Sequence, residues 1–199
     1  MSHFVTVNST PLRPSMKVKK SNLLYYKYYF LACGGPLKPE VVQSTSHDDF
    51  SIASNVLILG EVDAWQSPSN GLTNFWVAEK GKTDGQGFTL RLDTCERLIV
   101  GCQIKNMGNW YGRQATKDFR VLGSKNENGP WDTLVVDQLA DLRDKSTSLV
   151  SFTFKEPVEI QFIKFELVSF WGDWGGGLQY FAAIPATSKT LINTIDNLK

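Results

Sequence analysis

From residue 44 onward the chain alternates apolar and polar residues in short runs, and this period of two constrains the fold more than any other feature. Successive side chains of a strand point to opposite faces, so a strand with one face on a core and one in water carries that period. Phe88, Leu90 and Leu92 fall on one face of 88–93, and Leu98, Val100, Cys102 and Ile104 on one face of 98–104. Phe119 and Val121 alternate with Asp118 and Arg120, and Phe152 and Phe154 with Ser151, Thr153 and Lys155. In 163–167 the charges Lys164 and Glu166 point away from Ile163, Phe165 and Leu167. Turn formers separate these runs, at 124–130, at Glu156-Pro157 and in the glycines of 172–177. Short strands at such spacing predict an all-β sandwich or barrel. The stretch 136–145 is short and polar on most sides, and predicts a turn or a single helical turn.

The flanks read differently. Residues 1–43 mix Ser, Thr, Pro and Lys with an aromatic patch and predict an N-terminal extension with weak structure of its own. Within it, 23–35 has basic residues before it and small residues after it, as a secretory signal does, but it starts deep in the chain and Lys27 interrupts it. Its other reading is a strand or short helix docked on the domain. Residues 186–199 carry Leu191, Ile192, Ile195 and Leu198 at helical intervals, which predicts a short C-terminal helix. The 199 residues thus divide into an extension at 1–43, a sandwich at 44–185 and a tail at 186–199.

A formal net charge of +1 gives no long-range field, so nucleic acid is not an expected partner. The one basic run, Lys17-Val18-Lys19-Lys20, reads as a solvated tail. No apolar run reaches the roughly 18 residues of a membrane-spanning helix. Of the three cysteines, Cys95 and Cys102 either pair or leave Cys102 as a buried free thiol, so cysteine usage alone leaves the redox compartment open. Asn8-Ser9-Thr10 is a glycosylation sequon that matters only in a secreted chain.

Catalytic chemistry finds little to work with. His3 lies in the extension, and His47 beside Asp48-Asp49 lacks the spaced partners of a metal cluster, so it reads as a solvated turn. The triplet Gly175-Gly176-Gly177 is not a phosphate loop, because no Lys-Ser/Thr follows and it leads into a strand. No catalytic residue and no metal ligand is assigned.

Binding chemistry is better supplied. The connection 106–114 carries Asn109, Trp110, Tyr111 and Arg113, and the loop 169–177 carries Trp171, Asp173 and Trp174. A sugar offers an apolar face for stacking and hydroxyls for planar donors and acceptors, which these side chains match. Each has a structural alternative. Trp110 and Tyr111 can plug the end of the sandwich, Arg113 can pair with Asp118, Asp173 can hold its own loop, and at least one of Trp171 and Trp174 is expected to pack against the loop. If 88–93 runs antiparallel to 98–104, the loop ending at Gly87 and the loop beginning at Asn106 share one end. Asn70, Asn74, Trp76, Glu79 and Asp84 would then neighbour Trp110 and Arg113. Whether 169–177 joins them is left open.

Taken in order, Ala53-Ser54-Asn55-Val56-Leu57, Ala64-Trp65-Gln66, Gly87-Phe88-Thr89-Leu90-Arg91-Leu92-Asp93 and Gly129-Pro130-Trp131-Asp132-Thr133-Leu134 resemble the coagulation factor 5/8 type C domain, also called the discoidin domain. The similarity extends through 98–106, 116–124, 162–167 and 178–184. It implies a galactose-binding-like β-sandwich of jelly-roll type, with binding loops at one end and Trp65 and Trp131 in the core. It also implies a non-enzymatic module, lectin-like or adhesive, that binds a glycan or glycoprotein and sits outside the cell or at its surface. A phospholipid surface or a protein is the alternative partner, and a glycoside-processing enzyme the third reading.

Three departures bear on this. No cysteine follows Cys102 to tie the termini, which leaves a cytosolic place open. Leu59-Gly60 stands where relatives with a structural calcium have Asp-Gly, with Asp63 further on, and Gln179 replaces a glutamate of the last strand. No cofactor is therefore expected, unless backbone carbonyls complete a calcium site.

Overall fold

The structure, a computed structural model, describes residues 35–45, 52–58, 75–83, 85–108, 113–141 and 148–187. The expected extension as far as residue 34, the C-terminal helix, Trp65, Asn70, Asn74, Asp84, Asn109, Trp110 and Tyr111 lie outside the described residues. Gly35–Ala186 forms one compact unit.

The described residues form nine strands: β1 (Glu40–Ser44), β2 (Trp76–Val77), β3 (Gly87–Arg91), β4 (Arg97–Asn106), β5 (Asp118–Ser124), β6 (Asp132–Gln138), β7 (Leu149–Ile160), β8 (Phe162–Leu167) and β9 (Gly177–Pro185). They make two antiparallel sheets, one of five strands in the order β1-β3-β8-β5-β6 and one of four in the order β2-β9-β4-β7. From β3 on, the chain passes repeatedly from one sheet to the other, the jelly-roll pattern the alternation predicts. Strand β1 draws on residues that the sequence reading assigns to the extension: Val41 opposes Leu90 and Ser44 opposes Phe88.

The core lies between the sheets and is mostly aromatic. Phe88 on β3 opposes Phe165 on β8, with rings stacked 5.4 Å apart, and Phe119 on β5 continues the stack at 5.8 Å from Phe165. Phe181 and Trp76, from the four-stranded sheet, meet this stack edge-on. Offset-stacked and edge-to-face rings are the arrangements aromatic quadrupoles favour, and each ring buries a large apolar area. The expected inward sets of β3 and β8 are buried as predicted.

Several expectations need correction. In β4 the buried large apolar residues and cysteine are Ile99, Cys102 and Ile104, while Leu98 and Val100 are only half-buried. The cause is a bulge. Between Ile99 and Gly101 the pairing to β9 advances by a single residue, from Pro185 to Ile184, so Val100 is extra and the inward phase flips. Residues 136–138 make no turn; they extend β6, where Val136 opposes Arg120 and Gln138 opposes Asp118. Strand β5 offers an unpaired edge, and pairing with it overrides weak local preference. Trp131 is half-buried and outside the core, with Lys164 Nζ 5.9 Å from its ring centroid. Trp76, expected beside the binding loops, is fully buried instead.

Cys102 is a free, buried thiol whose pKa burial pushes up to about 12, which keeps it protonated and inert. Cys95 is disulfide-bonded, so the pairing of Cys95 with Cys102 is excluded.

Candidate functional site

Strand pairing places several loops at one end of the sandwich. Gly87 opposes Glu166 near the end of β8, Phe119 opposes Leu167, and Leu178 opposes both Asn106 and Trp76. The turn 79–86 and the connections 107–117, 139–148 and 168–176 therefore leave the sheets at the same end. Strands β3 and β4 lie in different sheets and do not pair, so the sequence argument for a shared end used the wrong partner. Its conclusion holds, because the segment between Leu167 and Gly177 bridges the two sheets.

Buried polar side chains fix this end. Asn106 is buried at the tip of β4; its amide donates to the Thr116 carbonyl at 2.8 Å, and its oxygen accepts from the N–H groups of Met107 and Thr116, both at 3.0 Å. The Thr116 hydroxyl donates to the Gly177 carbonyl at 3.0 Å. One asparagine thus closes the 107–115 connection, and one threonine ties it to β9. On the other sheet, the Ser169 hydroxyl donates to Asp118 Oδ2, Gln138 donates to Oδ1 at 2.9 Å, and the N–H groups of Val168 and Ser169 donate to the Asp118 carbonyl. The Ser169 hydrogen bond is the main reason the Asp118 pKa falls below the usual carboxylate value; Gln138 and the charge of Lys117 add to it. Asp118 is therefore engaged by Ser169 and Gln138, and Arg113 forms no ion pair among the described residues.

The loop 171–174 lies on this base. The Trp171 N–H donates to the Ala115 carbonyl at 2.8 Å, and the Gly81 N–H donates to the Trp174 carbonyl at 2.8 Å. Gly172 has φ +87°, and a Cβ there would stand 2.7 Å from the Arg113 carbonyl oxygen, so the loop rests directly on Arg113. At Gly177 a Cβ would meet the Trp76 carbonyl oxygen at 2.5 Å, because the backbone of β9 passes close to β2 there. The glycines that first suggest a ligand loop serve close backbone packing. The structure thus settles the open question about 169–177: it shares an end with Arg113–Ala115.

The two tryptophans differ. Trp171 is half-buried against Phe75, Val77, Met107 and Ala115, and its indole N–H donates to the Leu139 carbonyl at 3.0 Å. It is the packed one that the sequence reading expects. Trp174 is 38% exposed, the only tryptophan among the large exposed apolar side chains of the described residues. Asp173 and Arg113 are exposed as well. Two lysines missed by the sequence reading complete the rim. Lys80 Nζ lies 4.5 Å from the Trp174 ring centroid, and Lys117 Nζ lies 4.9 Å from that of Trp171. Nothing in local sequence links Lys80 to Trp174, because β2 must first pair with β9 to bring them together. Glu79 turns to Lys82, at 2.7 Å.

Calcium finds few ligands here. Gln179 Oε1 is buried without a hydrogen-bond partner, but it is a single neutral oxygen. Among the described residues no group of three His, Cys, Asp or Glu side chains could hold a metal ion. Calcium takes six to eight oxygens, and Leu59, Gly60 and Asp63, where the sequence reading places the candidate calcium segment, lie outside the described residues.

No protein-family model matches the chain, and no curated protein sequence matches it. Solved structures do resemble it. A family 32 carbohydrate-binding module from Clostridium perfringens NanJ, in complex with galactose, superposes with a TM-score of 0.51 at 14% identity, covering 74% of this chain and 92% of that one. The family 32 carbohydrate-binding module of Streptococcus pneumoniae EndoD gives 0.52 at 16% identity, over 76% and 97%. Allantoicase gives 0.53 at 14% identity, over 75% of this chain and 41% of that one. The fold is therefore the galactose-binding-like β-sandwich, one that hosts more than one function.

Proposed function

We propose that the protein is a non-enzymatic carbohydrate-binding module of the discoidin type, acting as a lectin-like or adhesive unit. One observation carries the reading: an exposed tryptophan and an exposed aspartate stand on one loop at the end of the sandwich, and the loop packs on the backbone of an exposed arginine. Trp174 presents an indole face, and Arg113 and Asp173 supply a planar donor and a carboxylate acceptor for hydroxyls. Trp110 or Tyr111 stacks on the sugar and Asn109 bonds it, from the connection that Asn106 closes. Trp171 supports the loop from beneath. The structural neighbours support this reading, since two of the three are carbohydrate-binding modules.

Binding uses no cofactor, and its glycan or glycoprotein partner lies outside the cell or at its surface. The disulfide at Cys95 favours such an oxidising compartment. A glycan array probed with the intact chain tests the proposal, with and without a chelator. Binding that disappears in Trp110→Ala with Arg113→Ala, and persists with chelator, is the expected result. Binding that survives the double substitution sinks the site assignment.

A further inference from the structure

We infer that the ligand of this end is an acidic glycan, a sugar carrying a carboxylate or a sulfate. The inference rests on the carbohydrate-binding reading above and adds the charge of the ligand. The loop 171–174 is flanked by two cations, Lys117 over the Trp171 ring and Lys80 over the Trp174 ring, and it rests on the backbone of Arg113, an exposed residue. Five cations elsewhere in the described sandwich are closed into pairs, whereas Lys38 and Lys155 are not. Arg97 meets Asp93, Arg91 meets Glu40, Arg120 and Lys164 share Glu166, and Lys125 lies between Glu96 and Glu159. Among the described residues, Lys80, Arg113 and Lys117 have no such partner.

Among the described residues, two carboxylates nearby are otherwise occupied. Asp118 receives Ser169 and Gln138 and feels the charge of Lys117, and Glu79 receives Lys82. Asp173 is the one carboxylate within the loop itself. The lysines over these two rings are not a reflection of overall basicity, because the whole chain carries a formal net charge of only +1.

The chemistry of the two ligand classes separates them. A neutral sugar stacking on the Trp174 face that Lys80 covers must displace an ammonium from an aromatic ring and gains little from Arg113 beyond a neutral hydrogen bond. An anionic sugar leaves Lys80 in place and accepts from it. The Arg113 fork matches the planar oxygens of a carboxylate or two oxygens of a sulfate, and such charge-assisted bonds are about twice as strong as neutral ones.

The test is an array that prints each glycan backbone in neutral, uronate-bearing and sulfated forms, probed with the full chain, with Lys80→Gln and with Trp131→Ala. Acid-bearing members are expected to bind at least about tenfold better than their neutral counterparts. That preference should fall in Lys80→Gln and with added salt, and persist in Trp131→Ala; the uronate and sulfate arms tell which group is read. Equal or better binding of the neutral members overturns the inference while leaving the carbohydrate-binding reading intact. Binding to no glycan overturns both, and capture by vesicles of phosphatidylserine and phosphatidylcholine would then assign the cations to an anionic membrane.

Discussion

The two ends of the sandwich handle charge differently, although the open end also holds one exposed pair, Lys82 with Glu79. Where β4 begins and β5 ends, Arg97 and Asp93 meet at 2.5 Å with both side chains largely shielded, and Arg97 also donates to the Gly35 carbonyl at 2.7 Å. Beside them the Lys125 ammonium lies 2.5 Å from Glu96 and 3.0 Å from Glu159, and the hydrogen bond to Glu96 leads in raising its pKa. At the other end polar groups are buried just as carefully, through Asn106, Thr116 and Asp118, yet Lys80, Arg113, Asp173 and Trp174 are exposed. Closed charge pairs hold a structure together and have nothing left to offer a ligand. Open charges on a rigid support add little to stability and are available for recognition.

The contrast can be broken most forcefully at the closed end. Arg97→Ala leaves Asp93 largely shielded without its partner and should cost about 3 kcal/mol of unfolding free energy, near the lower end for a broken buried pair. Urea denaturation measures it, and a loss under 1 kcal/mol would show that this end is not held by the pair. At the open end, the backbone rather than the charges carries stability. Gly172→Ala forces an unfavourable φ and a contact with the Arg113 carbonyl, and should cost about 1–3 kcal/mol by the same method. Trp174→Ala should shift unfolding by no more than about 0.5 kcal/mol, the range of ordinary surface substitutions.

Acid samples both ends at once. Burial pushes the Asp93 pKa up, but hydrogen bonds from Thr94 and Arg97 and the Arg97 charge outweigh it, and the net shift is downward. The Asp118 pKa is lowered too, chiefly by Ser169. A carboxylate whose folded pKa is depressed contributes stability that is present above its unfolded pKa and lost as pH falls through the folded value. The melting temperature should therefore hold from neutral pH down to the unfolded value of 3.8 and fall below it. Ser169→Ala should move the Asp118 titration back toward that value in an NMR pH series. An unmoved titration would show that the serine does not hold the carboxylate.

The alternation in sequence was enough to place β3, β5 and β8 and to choose the inward faces of β3 and β8, because β8 pairs with both β3 and β5 without interruption. It misassigned part of β4, since the extra residue Val100 belongs to the pairing with β9 and leaves no compositional trace. Trp76 and Trp131 exchanged roles for a similar reason. Each is an aromatic next to a turn, and only the pairing of β2 with β9 puts Trp76 over the phenylalanine stack. Strand β1 was hidden because local composition there resembles the extension, and β3 supplies the order. At the site, Arg113, Asp173 and Trp174 were legible as residue types. The two flanking lysines were not, since their positions depend on contacts between distant segments.

The central claim is that the open end binds a glycan and the closed end does not. Binding of the intact chain to a glycan array, compared with Trp174→Ala at the open end and Trp131→Ala beside the closed end, tests it most directly. The account predicts that the signal is lost in Trp174→Ala, with an unchanged melting temperature, and kept in Trp131→Ala. Retention of binding in Trp174→Ala together with its loss in Trp131→Ala would contradict it.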